Sequence, residues 1–186
     1  AGEGSRMISN KAKSLKHIGG QSMLTRIYET VSSITNETSF VVGYEKEAII
    51  KETKKFVGEI NICVQEKPIG TADAVKAALN NISPDSQTLI LYGDVPLIKL
   101  QTLKKMLSAN EDSLTILTTE LTDPTGYGRV KKDDAGLALS IVEEKDATSE
   151  EKKIKEIFTG VLCCKKTLLE EAISQVDNHN AAGEYY

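Results

Sequence analysis

Cysteine is scarce in this chain of 186 residues. Cys63 and the adjacent pair Cys163-Cys164 are an odd number without framework spacing. That excludes a disulfide-stapled scaffold and fits a reducing compartment, so the cytoplasm is the expected location. Histidine is scarcer still. His17 and His179 show no ligand spacing relative to the cysteines, which argues against a zinc site. Positive charge is not in excess: the formal net charge is -4. A broad nucleic-acid footprint would need a basic face, so nucleic acid is not an expected partner. A local basic pocket for a small phosphorylated ligand remains compatible with that charge. No apolar run is long enough to span a bilayer, and no membrane insertion is expected. Repeats, low-complexity tracts and obvious linkers are also missing. What is left is ordinary for a globular domain, 40% hydrophobic and 27% charged, at a length that can bury a core.

The chain opens on Ala1-Gly2-Glu3-Gly4-Ser5-Arg6-Met7, with Lys13 close behind. Two glycines one residue apart leave a loop whose amides can approach an anion. Arg6 adds a planar fork for phosphate oxygens and Lys13 a mobile point charge. Gly-x-Gly also occurs in plain turns, so the later segments must carry the argument. A loop of this kind normally follows a strand, and here the chain begins in mid-motif. The expectation is a partial domain over 1–186, lacking its first strand and its C-terminal part.

Apolar residues then alternate between two periods. Helices are expected over 21–33, 45–56, 71–79, 100–109 and 167–176. Strands are expected over 39–44, 60–64, 88–92, 114–119 and 157–163, with 88–92 buried on both faces. A hairpin over 127–131 and 137–143 is expected around Asp133-Asp134-Ala135-Gly136, and 147–155 reads as a charged helix or loop. This alternation predicts an α/β fold, a mostly parallel sheet with helices on both faces.

In such a sheet, ligands bind beyond the carboxyl ends of the strands. After the strand at 60–64 stands Gln65, whose carboxamide can read a base edge, followed by Gly70 and Thr71. Gly70 and Thr71 also suit a plain loop end and helix cap. After the strand at 88–92 stands Gly93-Asp94-Val95-Pro96. A carboxylate at a buried strand tip needs a partner, and Mg²⁺ bound with a nucleoside triphosphate uses few protein carboxylates. A turn Asp before Pro96 is the alternative. After the hairpin comes Glu143-Glu144-Lys145-Asp146, which could hold a sugar hydroxyl and a phosphate or be a solvated charge run.

In order along the chain, these segments resemble the sugar-1-phosphate nucleotidyltransferase family. The stretches Leu91-Tyr92-Gly93-Asp94-Val95-Pro96-Leu97, Asp123-Pro124-Thr125-Gly126-Tyr127-Gly128-Arg129, Val142-Glu143-Glu144-Lys145-Asp146-Ala147 and Gly183-Glu184-Tyr185-Tyr186 carry the likeness. Its nearest branch is the uridylyltransferase domain of the bacterial N-acetylglucosamine-1-phosphate uridylyltransferases. The resemblance implies a Rossmann-like sandwich and a bacterial, cytoplasmic enzyme of cell-envelope precursor synthesis. Its substrates would be UTP and N-acetylglucosamine-1-phosphate, its cofactor Mg²⁺. A homotrimer is implied if a left-handed β-helix domain follows. The family pattern places Ala1 and Gly2 on the nucleotide and Arg6 and Lys13 on its phosphates. Gln65, Gly70 and Thr71 fall on the uracil, Tyr92 and Gly93 along the site, Asp94 on Mg²⁺, and Gly128 and Glu143 on the sugar. The reaction needs no covalent intermediate, in keeping with the lack of a nucleophile beside a base.

This chain departs from the pattern in two places. Ala12 replaces the usual Pro before Lys13, and Phe158 replaces an Asn that touches the sugar nucleotide. The family's second Mg²⁺ ligand falls outside these residues. A relative with another base or sugar, and a catalytically silent nucleotide-sugar-binding module, are the alternatives.

Overall fold

A computed structural model describes residues 12–109 and 112–186. Lys13–Leu15 is a single 3-10 turn. The Gly19-Gly20 pair then closes a minimal hairpin between β1 (His17–Ile18) and β2 (Gln21–Ser22). Ser22 caps α1 (Met23–Val31) by accepting the Thr25 amide at 3.1 Å. Leu24, Ile27 and Val31 of α1 are buried at helical spacing, as the apolar period requires.

β3 (Ser39–Val42), α2 (Lys46–Thr53) and β4 (Asn61–Val64) form a βαβ unit whose strands pair in parallel. α3 (Thr71–Lys76), β5 (Gln87–Ile90), α4 (Leu100–Leu107) and β6 (Thr115–Glu120) continue the alternation. β7 (Arg129–Lys132) and β8 (Ala138–Val142) are the expected hairpin. The charged 147–155 stretch contains one 3-10 turn, Glu151–Lys153. β9 (Glu156–Lys165) and α5 (Lys166–Gln175) follow.

The α/β class holds, with a specific wiring. The described parallel ladder is β3–β4. β9 runs antiparallel to β5, β6 and β7, in a five-stranded sheet of order β5-β9-β7-β8 with β6 on β9. β5 and β6 thus point the same way, with β9 inserted between them. β5 itself is half-buried along its length, short of the two-faced burial expected for it.

Two apolar clusters hold the layers together. One gathers Ile27, Val31, Leu103, Met106, Val161 and Cys163. The other gathers Ala12, Leu24, Phe40, Val42 and Ile49, with the rings of Tyr28 and Phe56 against it. α1 contributes to both, so it ties the βαβ unit to the β9 sheet. Cys63, Cys163 and Cys164 are buried free thiols. Burial, and then Cys164 beside it, pushes the Cys163 thiol up to about 11, which makes it a poor nucleophile.

Candidate active site

The candidate residues fall on the loops that leave β4, β5 and β8, with the loop entering β7 and the C-terminal segment completing the ring. Ala1, Gly2 and Arg6 lie outside the described residues. Lys13 is described, and its Nζ lies 2.5 Å from Asp94 Oδ2, the two side chains being 41% and 27% exposed. The partner of this strand-tip carboxylate is therefore a lysine of the same chain. Gly93 permits the approach, since a Cβ there would meet Ser14 Cβ at 3.3 Å.

Gln65 is buried. Its amide nitrogen donates to Gly70 O and to Asp73 Oδ2, both at 2.9 Å. The carboxamide expected to read a base edge thus braces its own loop, joining β4 to the first turn of α3. Gly70 has φ +133, and a Cβ there would lie 2.1 Å from the Tyr185 carbonyl oxygen. No side chain fits between the two backbones. Tyr185 pairs with this loop like a short added strand: its amide donates to Ile69 O at 2.8 Å, and its carbonyl accepts from Ala72 at 3.0 Å. Thr71, one residue on, lies close to the Tyr92 hydroxyl.

At the other end, Gly128 and Glu143 meet. A Cβ on Gly128 would touch Ile141 Cγ2 at 2.8 Å and Glu143 Oε1 at 3.1 Å. Burial pushes the Glu143 carboxyl above its usual range, and the carboxylates of Asp146 and Glu184 add to the shift. Tyr92 sits between the two ends. Burial raises its phenol above the ordinary value and nearby Glu143 and Asp94 add to that, while the neighbouring Thr71 hydroxyl opposes it.

The support of the Gly128–Glu143 end by Arg129 carried no expectation from sequence. Arg129 is almost fully buried. It donates to the Tyr127 carbonyl and, at 2.7 Å, to Glu144 Oε2. The same oxygen accepts the Gly126 amide at 3.1 Å. The turn 123–128 and the turn 143–147 are thereby locked together. Alternation could place Arg129 on a strand, but not decide which face it takes.

The C-terminal segment closes the ring. Asn180 Oδ1 accepts the Ala182 and Glu184 amides, its Nδ2 donates to Glu184 O at 2.6 Å, and the Ala181 amide donates to Asp146 Oδ1 at 2.8 Å. Residues 180–186 therefore touch both the Gly70 loop and the Glu143–Asp146 turn.

The Mg²⁺ expectation meets a specific donor set. Among the described residues, no group of three or more His, Cys, Asp or Glu could hold a metal. Asp94 offers one carboxylate, a set that suits Mg²⁺ only when substrate phosphates and waters supply the other ligands.

The described loops thus bring a lysine–carboxylate pair at one strand tip and a half-buried carboxylate, Glu143, close to the same tyrosine, Tyr92. Residues 1–144 match the family model of the MobA-like NTP transferase domain, and the chain belongs to that nucleotidyltransferase family. It is 42% identical over 187 residues to the bifunctional protein GlmU of Neisseria meningitidis serogroup C, covering all of this chain and 40% of that protein. It is 39% identical over 186 residues to the bifunctional protein GlmU of Dechloromonas aromatica, covering all of this chain and 41% of that one. This chain spans about 40% of the length of the curated relatives it matches. A solved UDP-glucose pyrophosphorylase complexed with UDP-glucose has the same fold, with a TM-score of 0.71 at 13% identity, covering 98% of this chain and 79% of that one. No helix among the described residues is long and apolar enough to cross a membrane.

Proposed function

We propose that this chain transfers the uridylyl group of UTP to N-acetylglucosamine-1-phosphate, giving UDP-N-acetylglucosamine and pyrophosphate in the cytoplasm of a bacterium. The observation that supports it most is the layout of the cleft. Lys13 and Asp94 stand at one end, Gly128 and Glu143 at the other, and Tyr92 between them. In the transfer, a phosphate oxygen of the sugar phosphate attacks the α-phosphorus of UTP. The new P–O bond forms as the bond to the β-phosphate breaks, and both electrons of that bond leave with pyrophosphate.

The protein's part is positioning and charge neutralisation. Lys13 moves from Asp94 to the triphosphate oxygens. Asp94 would then hold Mg²⁺, which supplies positive charge to the phosphates. Glu143, whose carboxyl is pushed above its usual range by burial, accepts a hydrogen bond from a sugar hydroxyl. The Gly70–Thr71 loop takes the base, and Gln65 fixes that loop's shape. A homotrimer belongs to this reading only if a left-handed β-helix domain is part of the same protein.

The test is a pyrophosphate-release assay crossing UTP, CTP, GTP and TTP with several sugar-1-phosphates. UTP with N-acetylglucosamine-1-phosphate should give the highest kcat/KM. Asp94→Ala should abolish Mg²⁺-dependent turnover while the melting temperature changes little. Near-normal release by that variant would remove Asp94 from the site.

Phe158 favours a second reading, in which the same reaction serves another sugar. Its amide donates to Gly128 O at 3.0 Å, so it stands at the sugar end. A phenyl ring offers no hydrogen bond to an acetamido group. Under this reading another sugar-1-phosphate wins the panel, and Phe158→Asn shifts preference toward N-acetylglucosamine-1-phosphate.

A further inference from the structure

β9 is long but irregular, and its irregularity lies against Tyr92. Against β6, Ile116 opposes Leu162 while Thr118 opposes Phe158. Leu117 therefore stands against three residues of β9, Thr159 to Val161, in a β-bulge. Thr159 Oγ1 donates to Leu117 O at 2.8 Å and pins the bulge. Gly160, within it, has φ +83. A Cβ on Gly160 would lie 2.2, 2.4 and 2.7 Å from Cε2, Cδ2 and Cζ of Tyr92. The aromatic ring thus lies directly on the main chain of β9, in space that only glycine leaves open. Tyr92 itself comes from a different place, the loop after β5. From the seat its hydroxyl reaches Thr71 on the nucleotide side, and Glu143 and Asp94 are close enough to act on the phenol.

We infer that Gly160 is a positioning residue: the bulge it occupies is a seat that fixes the Tyr92 ring between the base-side loop and the sugar-side carboxylate. The inference rests on the transferase reading above, and it extends that reading to a residue that touches no substrate. Two different demands coincide at this position. The left-handed backbone already disfavours a side chain. The ring forbids one for a separate reason, and only that second reason concerns the site. Tyr92 stands near Thr71, Glu143 and Asp94, so displacing its ring moves bulk among the residues that the transferase reading assigns to the substrates.

A mutant cycle separates the two demands, because backbone strain is common to both backgrounds and cancels. The set is Gly160→Ala, Tyr92→Ala, the double variant, and Gly160→Ala in a Tyr92→Phe background. Each is assayed with UTP, N-acetylglucosamine-1-phosphate and Mg²⁺, and each is melted. Gly160→Ala alone should raise KM for the sugar phosphate about tenfold, with a smaller fall in kcat. In the Tyr92→Ala background the same change should alter KM by less than about twofold, because no ring is left to displace. In the Tyr92→Phe background it should cost as much as in the parent. The melting temperature should show the same pattern, falling more in the parent than in the Tyr92→Ala background.

Equal effects in all backgrounds would overturn the inference and leave Gly160 as a bend in β9. So would a Gly160→Ala variant with parental KM. If the parent releases no pyrophosphate with any substrate pair, the proposed function fails on its own, and the melting cycle still decides whether the seat exists.

Discussion

Gln65 shows how one side chain can be read correctly in place and incompletely in role. Its position after β4 was legible, yet its amide nitrogen is spent on Gly70 O and Asp73 Oδ2 inside the chain. Gln65→Ala should therefore destabilise the domain by about 1–3 kcal/mol, since a buried carbonyl and a carboxylate lose their donor. It should also lower UTP turnover by loosening the loop. Denaturant melts beside the UTP-to-CTP ratio check this, and an unchanged melt would mean the brace is dispensable. Asp94 behaves in the opposite way. Its ion pair with Lys13 is half-exposed and contributes only about 0–1 kcal/mol. Asp94→Asn should thus leave stability nearly unchanged while turnover collapses. Arg129 is the buried exception. Its guanidinium is almost wholly enclosed, and its Nε has no hydrogen-bond partner among the described residues. Glu144→Ala would remove the carboxylate partner of this guanidinium, so a loss of stability is expected, measurable as a lower denaturation midpoint.

Single strands and turns decide what the alternating pattern left open. The 147–155 stretch is an example. Thr148 and Glu151 bond reciprocally: Glu151 Oε2 accepts the Thr148 amide at 3.0 Å, and the Glu151 amide donates to Thr148 Oγ1 at 3.3 Å. Lys131 of β7 reaches Glu151 Oε1 at 2.8 Å. The Lys131 bond, and then those from Thr148, hold the Glu151 carboxyl at about 2. That value lies below the ordinary carboxylate value of about 4.3. The linked stabilisation is then fully present above the ordinary value and is lost as pH falls toward 2. Glu151→Gln should melt below the parent at pH 7, and the gap should close through the acid range. A gap that persists at pH 2 would place the effect in packing rather than charge. β9 is the second example. Its apolar run was readable from Ile157 to Cys163, but the bulge at Gly160 follows from its pairing with β6, which no local pattern encodes.

At the scale of the whole molecule, the cleft is a ring closed by the C-terminal segment. Residues 180–186 join the Gly70 loop to the turn at Asp146, two regions more than seventy positions apart in sequence. Asn180 shapes that segment through three bonds to its own backbone neighbours. Asn180→Ala should release it. Hydrogen-exchange protection should fall at the Ala72 and Tyr185 amides and stay high at Val161 in the core. Protection retained at Ala72 would show that the backbone pairing with Tyr185 holds without the asparagine.

The amino-acid sequence by itself determined the class of fold and the order of its elements, because both follow from local periodicity and turn chemistry. It also marked Lys13, Gln65, Asp94 and Glu143, because polar loop residues stand out against apolar strands, while Gly128 came only from the family resemblance. Three things were decided only in three dimensions: the pairing of Asp94 with Lys13, the inward use of Gln65, and the stacking of Tyr92 on Gly160. Each depends on which loop lies beside which. That is fixed by the antiparallel insertion of β9 among strands that point the other way, and strand order is a property of the assembled sheet rather than of any segment.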